Sequence, residues 1–195
     1  SYDGESTTKI DCLKPFKKSE DKLGKYQRRQ ARKLKNSKNK EKARIKVARI
    51  HEQIASQRDY FVKYTISQLL NGVKTVVIEN LHTKGMMRNH KVAKSIGDAS
   101  FAKFKQSLMS YCEKHNVQIC IANRFYPSTQ LCNNCGNRND KKVEFGISKW
   151  TCQHCDTHHD RDENAAMNLY DLASIPGSTT YVQNLTLHKE CLKHD

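Results

Sequence analysis

The stretch Cys132–Leu169 reads CNNCGNRNDKKVEFGISKWTCQHCDTHHDRDENAAMNL, and the reading of the fold starts there. Two CxxC pairs, Cys132/Cys135 and Cys152/Cys155, are separated by 16 residues. Each CxxC turn presents two sulfurs to one ion, so four thiolates at this spacing suit tetrahedral zinc. His154, His158 and His159 lie close by, but a set of four cysteines needs no substitute. A shell filled by four thiolates leaves no position for water, so a zinc ion held there is structural and not catalytic. A redox-active pair is the weaker reading, since no thioredoxin-like sequence surrounds either CxxC. Directly after the last cysteine come Asp160, Asp162 and Glu163, and then an alanine-rich helical pattern.

The composition outside this stretch points to a polyanionic partner. The chain has 195 residues and a net charge of +15, which favours a polyanion, most simply nucleic acid, over a charge that serves solubility alone. From Lys14 to Arg49 there are sixteen Lys/Arg against three Asp/Glu, so most of the excess lies in under a quarter of the length. No apolar run approaches the roughly 18 residues needed to span a membrane. No secretion signal opens the chain. Four of eight cysteines sit in the CxxC pairs and the others are irregular, which favours a reducing cytoplasm over a disulfide scaffold. The Asn184-Leu185-Thr186 sequon is then a chance match. Ser1 stands where an initiator methionine would, in the middle of a pattern, and reads as the start of a truncated or processed chain.

The basic region predicts two helices, about 17–35 and 40–70, joined at Asn36-Ser37-Lys38-Asn39. On the second, Ile50, Ile54, Phe61 and Thr65 form an apolar stripe widened by Val47, Ala48 and Leu69. The opposite face is basic or polar. It reads either as the solvated face of a charged hairpin or, since acidic partners are scarce, as a surface for phosphate backbones, with Arg28, Arg29 and Arg32 of the first helix as candidate contacts. Asn71-Gly72 ends the second helix. Val73–Glu79 is a β-branched, near-continuous run of the kind that fits an interior strand. Residues 82–97 read as a loop or short helix. A helix over about 98–115 follows, with Asp98 or Ser100 as N-cap. Val117, Ile119 and Ile121 then alternate as a second strand, completing a βαβ unit. A last helix covers about 162–174, and the tail beyond Pro176-Gly177 has no clear pattern.

Glu79 stands at the carboxyl end of the first strand, where open α/β sheets place their ligands. Asp162 lies in the first turn of the last helix, where the helix dipole favours an anion. Either Asp160 or Asp162 also serves as a plain N-cap on this reading. Taken together, a strand-end Glu and a helix-start Asp form a hard-oxygen pair suited to Mg²⁺ or Mn²⁺. With a third carboxylate they would suit metal-dependent phosphodiester hydrolysis.

Four ordered motifs carry a family resemblance: Val77-Ile78-Glu79-Asn80-Leu81, Tyr126-Pro127-Ser128-Thr129-Gln130-Leu131-Cys132, the CxxC pairs, and His159-Asp160-Arg161-Asp162-Glu163-Asn164-Ala165-Ala166. In this order they resemble TnpB/OrfB, the transposon-encoded relatives of the type V CRISPR effector nucleases, over about residues 1–174. The resemblance implies an α/β fold, an RNase H-like (RuvC) domain, truncated at its amino end. A basic helical hairpin (about 14–70) and a four-cysteine zinc ribbon are inserted in it. The core would cover 1–125, the ribbon 126–159, the last helix 160–174, and 175–195 would be a tail compatible with disorder.

The implied activity is RNA-guided, metal-dependent cleavage of DNA associated with transposition, in a prokaryotic cytoplasm, with guide RNA and DNA as partners. Glu79 matches the second RuvC carboxylate and Asp162 the third, with Asp160 as a neighbour. The first belongs to a strand preceding a segment like Ser1–Glu5, and neither Asp3 nor Asp11 replaces it. The chain alone is therefore expected to lack cleavage activity. The rival reading is a non-catalytic nucleic-acid-binding remnant on the same fold. A zinc-ribbon protein of the translation apparatus is a poorer third, since it leaves Glu79 and HDRDENAA unexplained.

Overall fold

A computed structural model describes residues 1–139 and 148–173 and the backbone of 179–182. The chain divides into two compact units. One takes Ser1–Ile10, Leu69–His82 and the described residues from Tyr111 onward; the other takes Asp11–Gln68 and Thr83–Ser110.

The second unit is helical. Helix α1 (Pro15–Ala31) opens on proline at its first position, where the missing N–H costs nothing. It packs on α2 (Lys38–Leu69) through Leu23, Ile50 and Ile54, with Phe16, Tyr26 and Val47 around them. Asn36 takes φ 62° in the connecting turn, and the Ser37 hydroxyl caps the next helix by accepting from the Lys40 amide at 3.1 Å. The buried row on α2 is Ile50, Ile54, Val62, Thr65 and Ile66. Phe61 is only half-buried and Ala48 is exposed, so the stripe drifts from the one read in the sequence. Arg58 stands in that row, four residues from Ile54 and from Val62.

Two short helices, α3 (Thr83–Met87) and α4 (Ala93–Ala99), precede α5 (Phe101–His115). The expected N-cap of α5 is not formed by either candidate. Ser100 sits left-handed at φ 54°, and its hydroxyl donates to the Gly97 and Asp98 carbonyls, which closes α4 instead. Asp98 caps a different helix. Its carboxylate accepts from the Phe16 and Lys17 amides at 3.0 and 3.1 Å, at the start of α1. The same carboxylate takes Arg58 Nη2 at 2.7 Å and Nε at 3.2 Å. Asp98 is 5% exposed, so this one side chain ties α1, α2 and α4 together.

The first unit holds the sheet. Strand β1 (Thr75–Ile78) pairs in parallel with β2 (Gln118–Ala122), Val77 opposite Cys120. The βαβ unit expected from the sequence is thereby formed. Among the described residues its first strand is an edge strand, not the interior one. The sheet order there is β1-β2-β5, with β5 (Thr179–Val182) antiparallel to β2. The central strand is β2, whose last four residues are buried, while β1 is half-buried. No sequence pattern announced β5. Its pairing accounts for part of the tail, and the rest, with the sequon and Cys191, lies outside the described residues.

A two-stranded sheet of β3 (Lys149–Thr151) and β4 (His158–Asp160) leads into α6 (Arg161–Leu172), which packs against β4 and β1. At the amino end Asp3 closes a turn by accepting from the Glu5 and Ser6 amides. Gly4 takes φ 105° there, and a Cβ on it would lie 2.8 Å from the Tyr170 hydroxyl. Gly72 follows α2 at φ 76°, the stop expected of Asn71-Gly72.

Burial pushes the Asp98 carboxyl up, but the Arg58 guanidinium and the two amides outweigh it and hold the group below its ordinary value. A carboxyl depressed on folding contributes stability above its unfolded pKa, near 3.9, and that contribution is lost as pH falls below it. Asp98→Ala is expected to destabilise the helical unit by about 3 kcal/mol at neutral pH, since it strands a half-buried guanidinium and two amides. It should also flatten the loss of stability below about pH 4. Denaturant melts at pH 7 and pH 3 check both; equal losses at the two pH values would contradict the ion-pair account.

Candidate metal cluster and acidic site

The two CxxC turns fold alike. In the first, the Cys132 amide donates to Asn137 O at 2.9 Å and the Gly136 amide to Cys132 O at 2.8 Å. In the second, the Cys152 amide donates to Thr157 O at 2.9 Å and the Asp156 amide to Cys152 O at 3.1 Å. The residue after each second cysteine must turn left-handed to close this loop. Gly136 does so at φ 72° without a steric penalty, and Asp156 does so at φ 54°, a conformation Asp tolerates better than most residues.

The four sulfurs lie within 4.8 Å of one another. Cys132 Sγ and Cys155 Sγ are 3.7 Å apart, as are Cys135 Sγ and Cys152 Sγ. Four sulfurs about 2.3 Å from a tetrahedral zinc would be about 3.8 Å apart, so the donor set fits. Among the described residues this is the one group of three or more such ligands that could hold a metal. Polar hydrogens also point at the sulfurs. The His154 amide lies 3.5 Å from Cys152 Sγ, Asn134 Nδ2 3.7 Å from Cys155 Sγ, and Asn137 Nδ2 3.6 Å from Cys135 Sγ.

Without an ion the thiols divide. Burial pushes Cys132 up to about 12, while hydrogen bonds from the Thr157 hydroxyl and amide bring Cys155 down to about 5. His159, one of the three histidines that the sequence places beside the cysteines, brings Nε2 to 3.0 Å from Cys132 Sγ and packs its ring 4.6 Å from that of Trp150. Its pKa is lowered, chiefly by burial.

The carboxylates are placed by β1, β4 and α6. Asp160 is the N-cap of α6; its Oδ1 accepts from the Asp162 and Glu163 amides at 3.0 and 3.3 Å. Its Oδ2 meets Lys9 Nζ at 2.7 Å, and that ammonium lies 3.6 Å from Glu163. Lys9, and behind it the two amides, hold the Asp160 carboxyl below the usual range. Asp162 is therefore not the cap. Its side chain is 63% exposed, with Oδ1 3.1 Å from Arg161 Nη2. Glu79 follows β1 directly and is half-buried, and its Oε1 accepts from the Ser128 hydroxyl at 2.5 Å. The helix carrying Asp162 is a packing neighbour of the strand that ends at Glu79.

The sequence reading also missed what holds the ribbon to α6. Asn164 and Asn168, four residues apart on one helix face, are 1% and 3% exposed. Their amides donate to Leu131 O at 2.7 and 2.8 Å, and Asn168 donates to Ser128 O at 2.7 Å. Asn164 Oδ1 accepts from the Asn133 amide at 3.0 Å. An i, i+4 asparagine pair inside an apolar helix pattern was the available signal. Arg28, Arg29 and Arg32 are all exposed at the end of α1, Arg29 lying 5.7 Å from the Tyr26 ring centroid.

With the geometry in place, the chain resembles known proteins over most of its length. A family model described as "Probable transposase" (OrfB of IS605) matches residues 1–90. A second, the Cas12f1-like TNB domain, matches residues 101–169. A Streptomyces pristinaespiralis protein named "Putative RNA-guided DNA endonuclease" is 36% identical over 161 residues, 83% of this chain and 40% of that protein. TnpB-like protein L79 of Acanthamoeba polyphaga mimivirus is 30% identical over 149 residues, 72% of this chain and 28% of that protein. "Putative RNA-guided DNA endonuclease InsQ" of Escherichia coli K12 is 28% identical over 178 residues, 83% of this chain and 44% of that protein. These matches define a class, transposon-type proteins that combine a mixed helix–strand unit with a cysteine-cluster domain. The chain belongs to the TnpB/OrfB family. It spans less than half the length of these relatives. No helix among the described residues is long and apolar enough to cross a membrane.

The purified chain is expected to retain one zinc-like ion, and Co²⁺ in its place should show the visible absorption of a tetrahedral thiolate site. Because the ligands must be deprotonated, retention should fall as pH is lowered. Cys152→Ser should weaken retention; a Co²⁺ spectrum of oxygen ligation, or one unchanged by that substitution, would rule the assignment out.

Proposed function

We propose that the chain is the carboxyl-terminal part of an RNA-guided DNA endonuclease of the RuvC, RNase H-like type, with Glu79 and Asp162 as ligands for Mg²⁺ or Mn²⁺. The observation that carries this reading is Glu79 at the carboxyl end of β1, with the helix bearing Asp162 packed beside that strand. A hard divalent ion held between carboxylates supplies a polarised water and neutralises charge on a phosphodiester. The chain's own residues prepare for it. Asp160 is occupied by the helix amides and Lys9, which leaves Asp162 as the more exposed of the two other carboxylates of the first turn, Asp162 and Glu163. Ser128 holds one oxygen of Glu79 and leaves the other to bind.

A RuvC centre uses a third carboxylate, for which neither Asp3 nor Asp11 is a candidate. Asp3 is engaged in its own turn. The edge of β1 not paired with β2 has no partner strand among the described residues, and a strand carrying the third group would pair there. On this reading the chain is a nucleic-acid-binding part of the enzyme, in a prokaryotic cytoplasm, and cleavage depends on that third group. The four cysteines hold zinc in a structural role. The hairpin of α1 and α2 contacts guide RNA or DNA backbone through Arg28, Arg29 and Arg32. The second reading, a non-catalytic nucleic-acid-binding protein, is favoured by the Arg161 guanidinium beside Asp162, which competes with a cation.

In the protein that contains this chain together with the segment preceding Ser1, Glu79→Ala and Asp162→Ala should each reduce Mg²⁺-dependent cleavage of labelled DNA by more than about 100-fold, beyond what losing an outer-sphere partner costs. Zinc content should be unchanged. Cleavage persisting in either variant would rule that residue out as a ligand, and cleavage by neither wild type nor variants would favour the binding reading.

Removing Arg28, Arg29 and Arg32 together should weaken binding of single-stranded nucleic acid without regard to sequence. The slope of log K against log salt should become shallower by roughly one for each phosphate that the variant no longer neutralises. A slope unchanged in the triple Ala variant would move the interface elsewhere.

A further inference from the structure

We infer that Ser128 is a positioning residue for the Glu79 carboxylate, and that the ribbon fixes Ser128 through two buried asparagines of α6. The inference rests on the reading of Glu79 as a metal ligand.

The Ser128 hydroxyl donates to Glu79 Oε1, which accepts. One charge-assisted hydrogen bond of this kind removes rotational freedom from a side chain that a strand end alone leaves loose. Ser128 itself is 4% exposed and stands in an irregular segment between β2 and the first cysteine. Nothing in a loop holds a hydroxyl at a fixed point unless its backbone is held. Here it is. Asn168 donates to Ser128 O at 2.7 Å, and Asn164 donates to the same carbonyl at 3.4 Å.

The same two amide groups donate to Leu131 O, the residue before the first metal-cluster cysteine. Asn133, just after that cysteine, returns its amide to Asn164 Oδ1 and its Nδ2 to Asn168 Oδ1 at 3.3 Å and to Asp171 Oδ2 at 2.6 Å. Cys132 is thus clamped on both sides by the network that holds Ser128. Buried amides in such a network are costly to leave half-satisfied, so the members keep or lose their geometry together. Order imposed on Cys132 by a bound ion is transmitted to Ser128 and from there to Glu79. On α6 the two asparagines lie one and two turns from Asp160, so the helix that presents Asp162 is fixed by the same contacts.

The test is Mn²⁺ affinity of the zinc-loaded full-length protein that carries this chain and the third carboxylate, followed by EPR titration, with zinc content and thermal melting of each variant measured alongside. Ser128→Ala deletes only the hydroxyl, because the asparagines bind the backbone carbonyl. It should weaken Mn²⁺ binding roughly tenfold or more, the usual cost of losing an outer-sphere partner, with zinc content and melting unchanged. Ser128→Thr, which keeps the donor, should restore most of the affinity. Glu79→Gln separates the two claims. If it leaves Mn²⁺ affinity unchanged, or wild type binds no Mn²⁺, the metal-ligand reading falls and the positioning role with it. If Glu79→Gln weakens binding while Ser128→Ala does not, the positioning role alone is overturned. Loss in Ser128→Ala without recovery in Ser128→Thr would also overturn it.

Discussion

Four cysteine sulfurs gathered within 4.8 Å of one another set a constraint that packing cannot meet. The described residues of the ribbon that are fully buried are Ser128, Cys132, Asn139 and Cys152. No large apolar side chain is among them, so hydrophobic burial contributes little to holding the two CxxC turns together. Brought this close, four thiolates repel, and four thiols waste the N–H groups turned toward them. A divalent cation with soft-ligand affinity resolves both conflicts at once, and its binding free energy becomes folding free energy for the ribbon. The constraint extends past the ribbon. Asn133 belongs to the first turn, and it is Asn133 that meets Asn164, Asn168 and Asp171 on α6.

The helical unit is organised by the opposite device. Its surface carries a dense excess of positive charge, and its interior is built round one negative group. Asp98 accepts from two amides at the start of α1 and from the guanidinium of Arg58 on α2. Lysines and arginines crowd both helices, so a helix pair of this composition repels itself. A buried carboxylate shared between an α1 terminus and an α2 side chain supplies attraction where the repelling charges are closest in sequence. Apolar burial joins it through Leu23, Ile50 and Ile54, and through Val62, Ile66 and Leu108. Breaking the ion pair would leave a charge without partner in a protein interior, which explains why one acid outweighs the surface pairs elsewhere.

Local patterns carried much of the sequence reading. Two basic helices, a βαβ unit and a four-cysteine cluster are visible because each follows from period, turn residue or ligand spacing. Residues whose role depends on a distant partner were not visible. Asp98 looks like a cap for the helix beside it, and its actual partners lie 82 and 81 residues away. Arg58 reads as a surface residue because charge sits there on most helices; its place in the buried row shows only when Val62 replaces Phe61 inside. Strand β5 has no alternation to find, since pairing with an already formed β2 asks for backbone groups more than side-chain pattern. Val73–Glu79 has the composition of an interior strand, yet the described sheet puts β2 at the centre. Of the candidate groups, the strand-end place of Glu79 and the first-turn place of Asp162 were legible in the sequence, whereas the contacts of Ser128 and Lys9 are ones that no spacing encodes.

The sequence His-Asp-Arg-Asp places two aspartates two residues apart at a helix start, and the helix geometry gives them different work. An N-cap side chain folds back over the amides of the second and third helical residues, as the Asp160 carboxylate does over Asp162 and Glu163. That contact consumes its acceptor capacity on one oxygen, and Lys9 takes the other. Asp162 contributes its amide to the cap and keeps its carboxylate. The side chain is then held near the positive end of the helix dipole. Glu79 is held by another route, with a hydroxyl on one oxygen in place of a helix terminus. Two carboxylates, one presented at a helix terminus and one held by a hydroxyl, are the groups on which the proposed binding of a hard cation rests.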